Sequence, residues 1–119
     1  MGDDGIARLR EPPVRETKPV GDAVVASLQG ELDLYNAEEL RAALTKAVDD
    51  GAARIVIDLD DVQFVDSTAL GVLLETRARL GAGSVVLARP RLETRRALAV
   101  SGLDRHLPVC DSIDQALAR

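Results

Sequence analysis

The stretch Asp58-Leu59-Asp60-Asp61-Val62-Gln63-Phe64-Val65-Asp66-Ser67-Thr68-Ala69-Leu70-Gly71 reads as a strand, a connection and the start of a helix. Its first part continues Arg54-Ile55-Val56-Ile57-Asp58-Leu59, an apolar, β-branched run of the kind found in central strands covered on both faces. If Asp66 is the N-cap, Val65 and Leu70 fall at the two hydrophobic-staple positions. Ser67 is then the first helical residue, its hydroxyl near solvent. The helix runs from Asp66 or Ser67 to Leu80, stops at Gly81 and buries Leu70, Leu73, Leu74 and Ala78. A phosphate on Ser67 would meet backbone N–H groups and the positive end of the helix dipole. Modification should therefore leave the fold intact, to be read by a partner.

Outward from this stretch, Val24 to Leu28, closed by Gly30, and Ser84 to Ala88 repeat the short apolar strand type. Between the first two strands, Leu40, Ala43, Leu44, Ala47 and Val48 form one helical stripe. Asn36 is its expected N-cap, Glu39 completes a capping box, Tyr35 staples onto Leu40 and Gly51 supplies the stop. A third helix covers roughly Leu92 to Ser101, with Gly102 as its left-handed cap and Leu103 turned back towards Leu98. Leu107-Pro108-Val109-Cys110 can be only an edge strand, because Pro108 lacks a ladder donor, and Ser112 with Gln115 opens a short last helix. Residues 1 to 22, broken by Pro12-Pro13, Pro19 and Gly21-Asp22, read as a loose arm with at most a short strand at Val14 to Thr17; the packed domain is 23 to 119. Strands alternating with helices predict one α/β domain, a mixed, mostly parallel sheet with about four helices packed against it.

A chain of 119 residues has room for a single core. Fifteen Lys and Arg against twenty Asp and Glu leave a net charge of −5, without the basic footprint that counterion release demands of a nucleic-acid binder. Two aromatics, Tyr35 and Phe64, make no stacking platform for bases. One cysteine and one histidine can assemble neither a disulfide nor a thiolate–imidazole zinc site. No apolar run approaches the roughly 18 residues of a membrane span, and the acidic start is unlike a secretory signal, so a cytoplasmic location is expected.

Four constellations were candidates for chemistry. Gly81-Ala82-Gly83 follows a helix and lacks a Walker lysine, so it reads as a helix stop. His106 with Ser101 or Ser112 lacks a nucleophile elbow, and Cys110 in an apolar strand reads as an inert small hydrophobe. Asp58, Asp60, Asp61 and Asp66 gather at the carboxyl end of a central strand, where a magnesium-dependent phosphoacceptor could sit. The competing reading makes Asp60 and Asp61 solvated turn residues and Asp66 a helix cap. The charges are polarised: residues 31 to 75 hold eleven acidic and three basic side chains, and residues 77 to 105 hold seven basic and two acidic. That pattern suits either two solvated faces or a salt-sensitive docking end.

The segment Asp58 to Gly71 resembles the hallmark of the STAS-domain family of bacterial anti-sigma factor antagonists: an apolar strand, Asp-Leu-x-x-Val-x-Phe-x-Asp-Ser-Thr/Ser-Gly-Leu-Gly, and a helix. Gly30-Glu31-Leu32-Asp33, Ala37-Glu38-Glu39-Leu40 and Val100-Ser101-Gly102-Leu103 extend the resemblance over nearly everything from Val24 to Ala118. The resemblance implies a switch. The unmodified domain binds an anti-sigma factor that is also a serine kinase, and phosphorylation ends the binding. Ser67 matches the phosphoacceptor, Asp33 matches the aspartate beside it, and Asp66, Thr68 and Ala69 join them in the docking surface. ATP belongs to the kinase, so no cofactor is expected. Ala69 stands where the family usually has glycine, which either alters docking or kinase choice or merely stiffens the first turn. Nothing in these motifs fixes the oligomeric state.

Two alternatives accompany this reading. One is an unmodified STAS scaffold in a transporter or stress-signalling assembly. The other is an aspartyl-phosphate receiver built on the acidic cluster, which needs magnesium and a lysine after a central strand; Lys18 and Lys46 are neither so placed.

Overall fold

The computed structural model describes residues 11–119. Five strands, β1 (Val14–Val20), β2 (Ala23–Leu32), β3 (Arg54–Val65), β4 (Val85–Ala88) and β5 (Val109–Cys110), lie side by side in chain order. β1 and β2 form an antiparallel hairpin through Gly21-Asp22, whose tight turn uses a φ of 61° at Gly21. All later pairings are parallel, and the crossovers are α1 (Ala37–Asp49), α2 (Ser67–Leu80) and α3 (Leu92–Ser101). A 3-10 turn (Leu103–Arg105) and α4 (Ile113–Leu117) complete the α/β architecture expected.

Alternate strand residues supply two cores, as the pleat dictates. Ile55, Ile57 and Leu59 of β3 join Leu28 and Leu32 of β2 beneath Leu40 and Leu44 of α1, Val72 and Leu73 of α2 and Leu98 of α3. On the opposite face Val25, Val56, Val86 and Cys110 pack under Ala116 of the five-residue α4. Buried Cys110 is thus a small core hydrophobe, as its apolar surroundings suggested.

The strands are longer than the residue pattern indicates. β1 runs on through Pro19 to Val20, within what was expected to be a loose arm, because a sheet edge tolerates a residue without an N–H. The part of that arm over residues 1–10 lies outside the described residues. β3 continues past Leu59 through Asp60 and Asp61, which therefore belong to a strand and not to a turn. Its ladder with β2 shifts register between Ser27 and Gln29 and again between Gly30 and Glu31, each time taking up one extra residue of β3 as a bulge.

α1 buries Leu40, Leu44 and Ala47 of the stripe predicted for it and half-buries Ala43 and Val48, but its start differs. Asn36 makes no side-chain cap. Its amide instead closes the preceding loop, donating to the Glu31 carbonyl (2.8 Å) and accepting from the Asp33 N–H (2.9 Å). Tyr35 is 84% exposed and so is not stapled onto Leu40. α2 is rotated from the expected face: Ala69, Val72, Leu73 and Thr76 are buried, Leu70 and Leu74 half-buried, and Ala78 exposed. Small Ala69 lets the helix start approach the sheet, and Thr76 is tolerated inside because its hydroxyl donates to the Val72 carbonyl (3.0 Å). α1 and α2 are clamped by Arg41 on both oxygens of Glu75 (2.8 and 3.1 Å) and by Arg79 on Asp49 (3.1 Å). The Arg41 hydrogen bonds hold the Glu75 carboxyl below its usual range. α3 ends as predicted at Gly102, which has a φ of 76°. Ser112 caps α4 through the Gln115 N–H (3.0 Å), while the Gln115 side chain accepts from the Asp111 N–H.

Candidate functional site

The ends of β2 and β3 are neighbours in the ladder, Leu32 opposite Val65, and the Asp66 N–H extends it by donating to the Leu32 carbonyl (2.9 Å). Asp66 is extended and caps α2: Oδ1 accepts from the Ala69 N–H at 3.0 Å, as the sequence indicated. Its second oxygen has a job the sequence did not disclose, accepting the Leu34 N–H at 3.1 Å from the loop between β2 and α1. One carboxylate therefore joins that loop to the head of α2. Asp33 precedes Leu34 and Ser67 follows Asp66, so the two lie on either side of this hydrogen bond. Asp33 also accepts the Tyr35 N–H on Oδ1 (3.0 Å), so two successive loop N–H groups are fixed by two aspartates. Replacing Asp66 by Ala removes both bonds and should cost about 1 to 2 kcal/mol, read as a lower urea midpoint at unchanged slope.

Ser67 is exposed as the first residue of α2, and Thr68 beside it is half-buried. Ala69 is 0% exposed and packs in the main core. Its expected place in a docking surface is corrected accordingly: the methyl replacing the family's usual hydrogen faces inward.

The acidic cluster does not converge on a point. Asp58, two residues beyond Val56 on the second sheet face, is only 2% exposed and receives Arg89 Nε at 3.1 Å and Nη2 at 2.8 Å. These hydrogen bonds raise the already high Arg89 pKa. Asp61 pairs with Arg15, and Arg91 donates to the Asp60 carbonyl (3.0 Å). Among the described residues no three His, Cys, Asp or Glu side chains are grouped to hold a metal ion. The polarised halves are thus partly folded against each other, Arg79 on Asp49 and Arg89 on Asp58. Arg89 has a φ of 56°, alone among the described non-glycine residues in being positive. A buried aspartate in a central strand was the available hint that a cation must meet it.

Among the described residues, three large apolar side chains at this end are exposed: Leu34 by 65%, Tyr35 by 84% and Phe64 by 53%. Phe64 lies opposite Glu31 in the ladder, one position before the Leu32–Val65 pair. Among the described residues no helix is long and apolar enough to cross a membrane.

Comparison with known proteins gives this arrangement a context. The STAS domain profile matches residues 12–116. The anti-sigma-F factor antagonist RsfB of Mycobacterium tuberculosis is 35% identical over 95 residues, 78% of this chain and 77% of that protein. The crystal structure of an anti-sigma factor antagonist from Mycobacterium paratuberculosis superposes with a TM-score of 0.78 at 31% identity, covering 87% of this chain and 89% of that one. SpoIIAA, an anti-sigma factor antagonist, is 28% identical in both its unphosphorylated and its phosphorylated structure. The TM-scores are 0.72 and 0.65, over 87% of this chain and 93% and 96% of those chains. The chain belongs to the STAS domain family, among the anti-sigma factor antagonists.

Proposed function

We propose that this protein is a cytoplasmic anti-sigma factor antagonist controlled by phosphorylation of Ser67. Unmodified, it binds an anti-sigma factor that is also a serine kinase, and so frees a sigma factor. The kinase transfers the γ-phosphoryl group of its own ATP to Ser67 Oγ, releasing ADP and the hydroxyl proton, and the complex dissociates. The domain performs no catalysis and holds no cofactor.

The observation that carries this reading is the exposed hydroxyl of Ser67 at a helix start fixed by Asp66, which the Leu34 N–H ties to the loop of Asp33. A phosphate there gains from the helix dipole and needs no room in the core. Asp33, Asp66 and Thr68 surround the acceptor in the docking surface. That SpoIIAA has solved structures in both forms, each similar to this chain, supports a fold that carries the modification without rebuilding.

The test is mass mapping after incubation with purified candidate anti-sigma kinases and ATP. Acid-stable phosphate on Ser67, absent from Ser67→Ala, is the expected result. No transfer from any of them would favour the unmodified scaffold, and acid-labile phosphate on an aspartate would favour a receiver.

A further inference from the structure

Both aromatic residues of this chain stand in solvent at the same end of the sheet. Aromatic side chains dominate core energetics, and a domain with only two of them would be expected to bury both. Leu34 is exposed next to Tyr35 in the loop before α1, which its N–H ties to Asp66, and Phe64 is exposed near the end of β3, so the apolar surface comes from both segments next to Asp66 and Ser67. The backbone beneath it is rigid: the Leu34 N–H is fixed by Asp66 and the Tyr35 N–H by Asp33. These contacts fix the backbone from which the two side chains project before any partner arrives, and such preorganisation lowers the cost of docking.

We propose that Leu34, Tyr35 and Phe64 are the apolar anchors by which this domain seizes its anti-sigma factor, and that the partner offers an apolar recess rimmed by Arg and Lys. The partner's identity rests on the function proposed above. The basic rim follows from charge. Residues 31 to 39 and 58 to 66 together contain eight acidic and no basic side chains; Arg15, Arg41, Arg89 and Arg91 fold against Asp61, Glu38, Asp58 and Asp60, which leaves an acidic excess at this end. Such a rim repels nucleic-acid phosphates and anionic lipid surfaces and complements a cationic protein face. In this arrangement Asp33 and Asp66 act as positioning residues for the anchors, and Ser67 lies among them where one phosphate disturbs every contact.

The test uses the full chain carrying Ser67→Ala, so that phosphate transfer plays no part, titrated calorimetrically into purified anti-sigma factor kinases of the source organism at low and high salt. Tyr35→Ser and Phe64→Ser should each weaken binding about thirtyfold, the scale of an interface hot spot, with an unchanged salt slope. Val100→Ser, which removes an 89% exposed side chain from α3, should change nothing. Melting temperatures should match throughout, since none of the three side chains is buried. Wild-type affinity in Tyr35→Ser and Phe64→Ser, alongside normal phosphate transfer to Ser67, would overturn the anchors and leave the switch standing. Lost affinity without any phosphate transfer to the unmutated chain would sustain the anchors and sink the switch. A dimer of the free protein that Tyr35→Ser dissociates would assign the patch to a second copy and overturn the proposal.

Discussion

Phosphorylated on Ser67, the protein is expected to bind its anti-sigma factor about a thousandfold more weakly than the unmodified chain, with both forms titrated into the same preparation at fixed ionic strength. The modification replaces a neutral hydroxyl by about −1.5 to −2 charges on a surface that already carries Asp33 and Asp66 and that the partner desolvates. Like charges brought together there cost several kcal/mol, and about 4 kcal/mol accounts for the thousandfold. Ser67→Ala should bind like the unmodified protein and accept no phosphate. Ser67→Asp should fall between, since one carboxylate brings less charge and less bulk. Higher salt should narrow the gap between the two forms. The amide spectrum should shift around α2's first turn and nowhere else, because negative charge at a helix start is favourable. Equal affinities for the two forms would falsify the switch.

The largest effect on stability is expected from Arg89→Ala, about 3 kcal/mol by urea denaturation. The loss comes mainly from Asp58, whose side chain is 3% exposed and would keep only the Asp60 N–H (3.2 Å) as a partner. Removing one member of a buried pair leaves the other charged and poorly solvated, at a cost of about 3 to 5 kcal/mol. The lower end applies because Arg89 itself is partly in water. Arg89→Gly should lose about 1 kcal/mol less than Arg89→Ala, because glycine accepts the positive φ at position 89 without strain. A neutral Arg89→Ala would mean that the pair contributes no net stability.

What could be read from the residues was what is decided locally. The limits of α3 and its Gly102 stop, the Ser112 cap of α4 and the Asp66 cap of α2 match expectation because each depends on side chains within four positions. Failures arose where the deciding partner is distant in sequence. The full length of β3 depends on bulges set by its pairing with β2, so Asp60 and Asp61 resembled turn formers. Asn36 satisfies the local consensus for a cap, yet its amide is taken by Glu31 and Asp33 on the loop leaving β2. The buried face of α2 is set by the sheet on which it packs, with Ala69, Val72 and Leu73 in one core with Leu28, Leu32 and Ile57, and this places Ala69 in the core and not in the supposed docking surface. Of the candidate site, the Asp66 cap and the exposed position of Ser67 at the helix start were legible, because both are decided within a few residues. The exposed patch beside it was not, because an apolar residue next to a strand end is ordinarily assigned to the interior.

Because one carboxylate serves both the loop of Leu34 and the helix of Ser67, the proposed docking face is one joined unit instead of two independently moving segments. For the docking proposed above, little internal freedom is surrendered on contact, so the tempo of partner exchange is expected to be set by collision and departure and not by refolding of the surface. A regulator built this way can answer a change in phosphate level as fast as its complexes come apart.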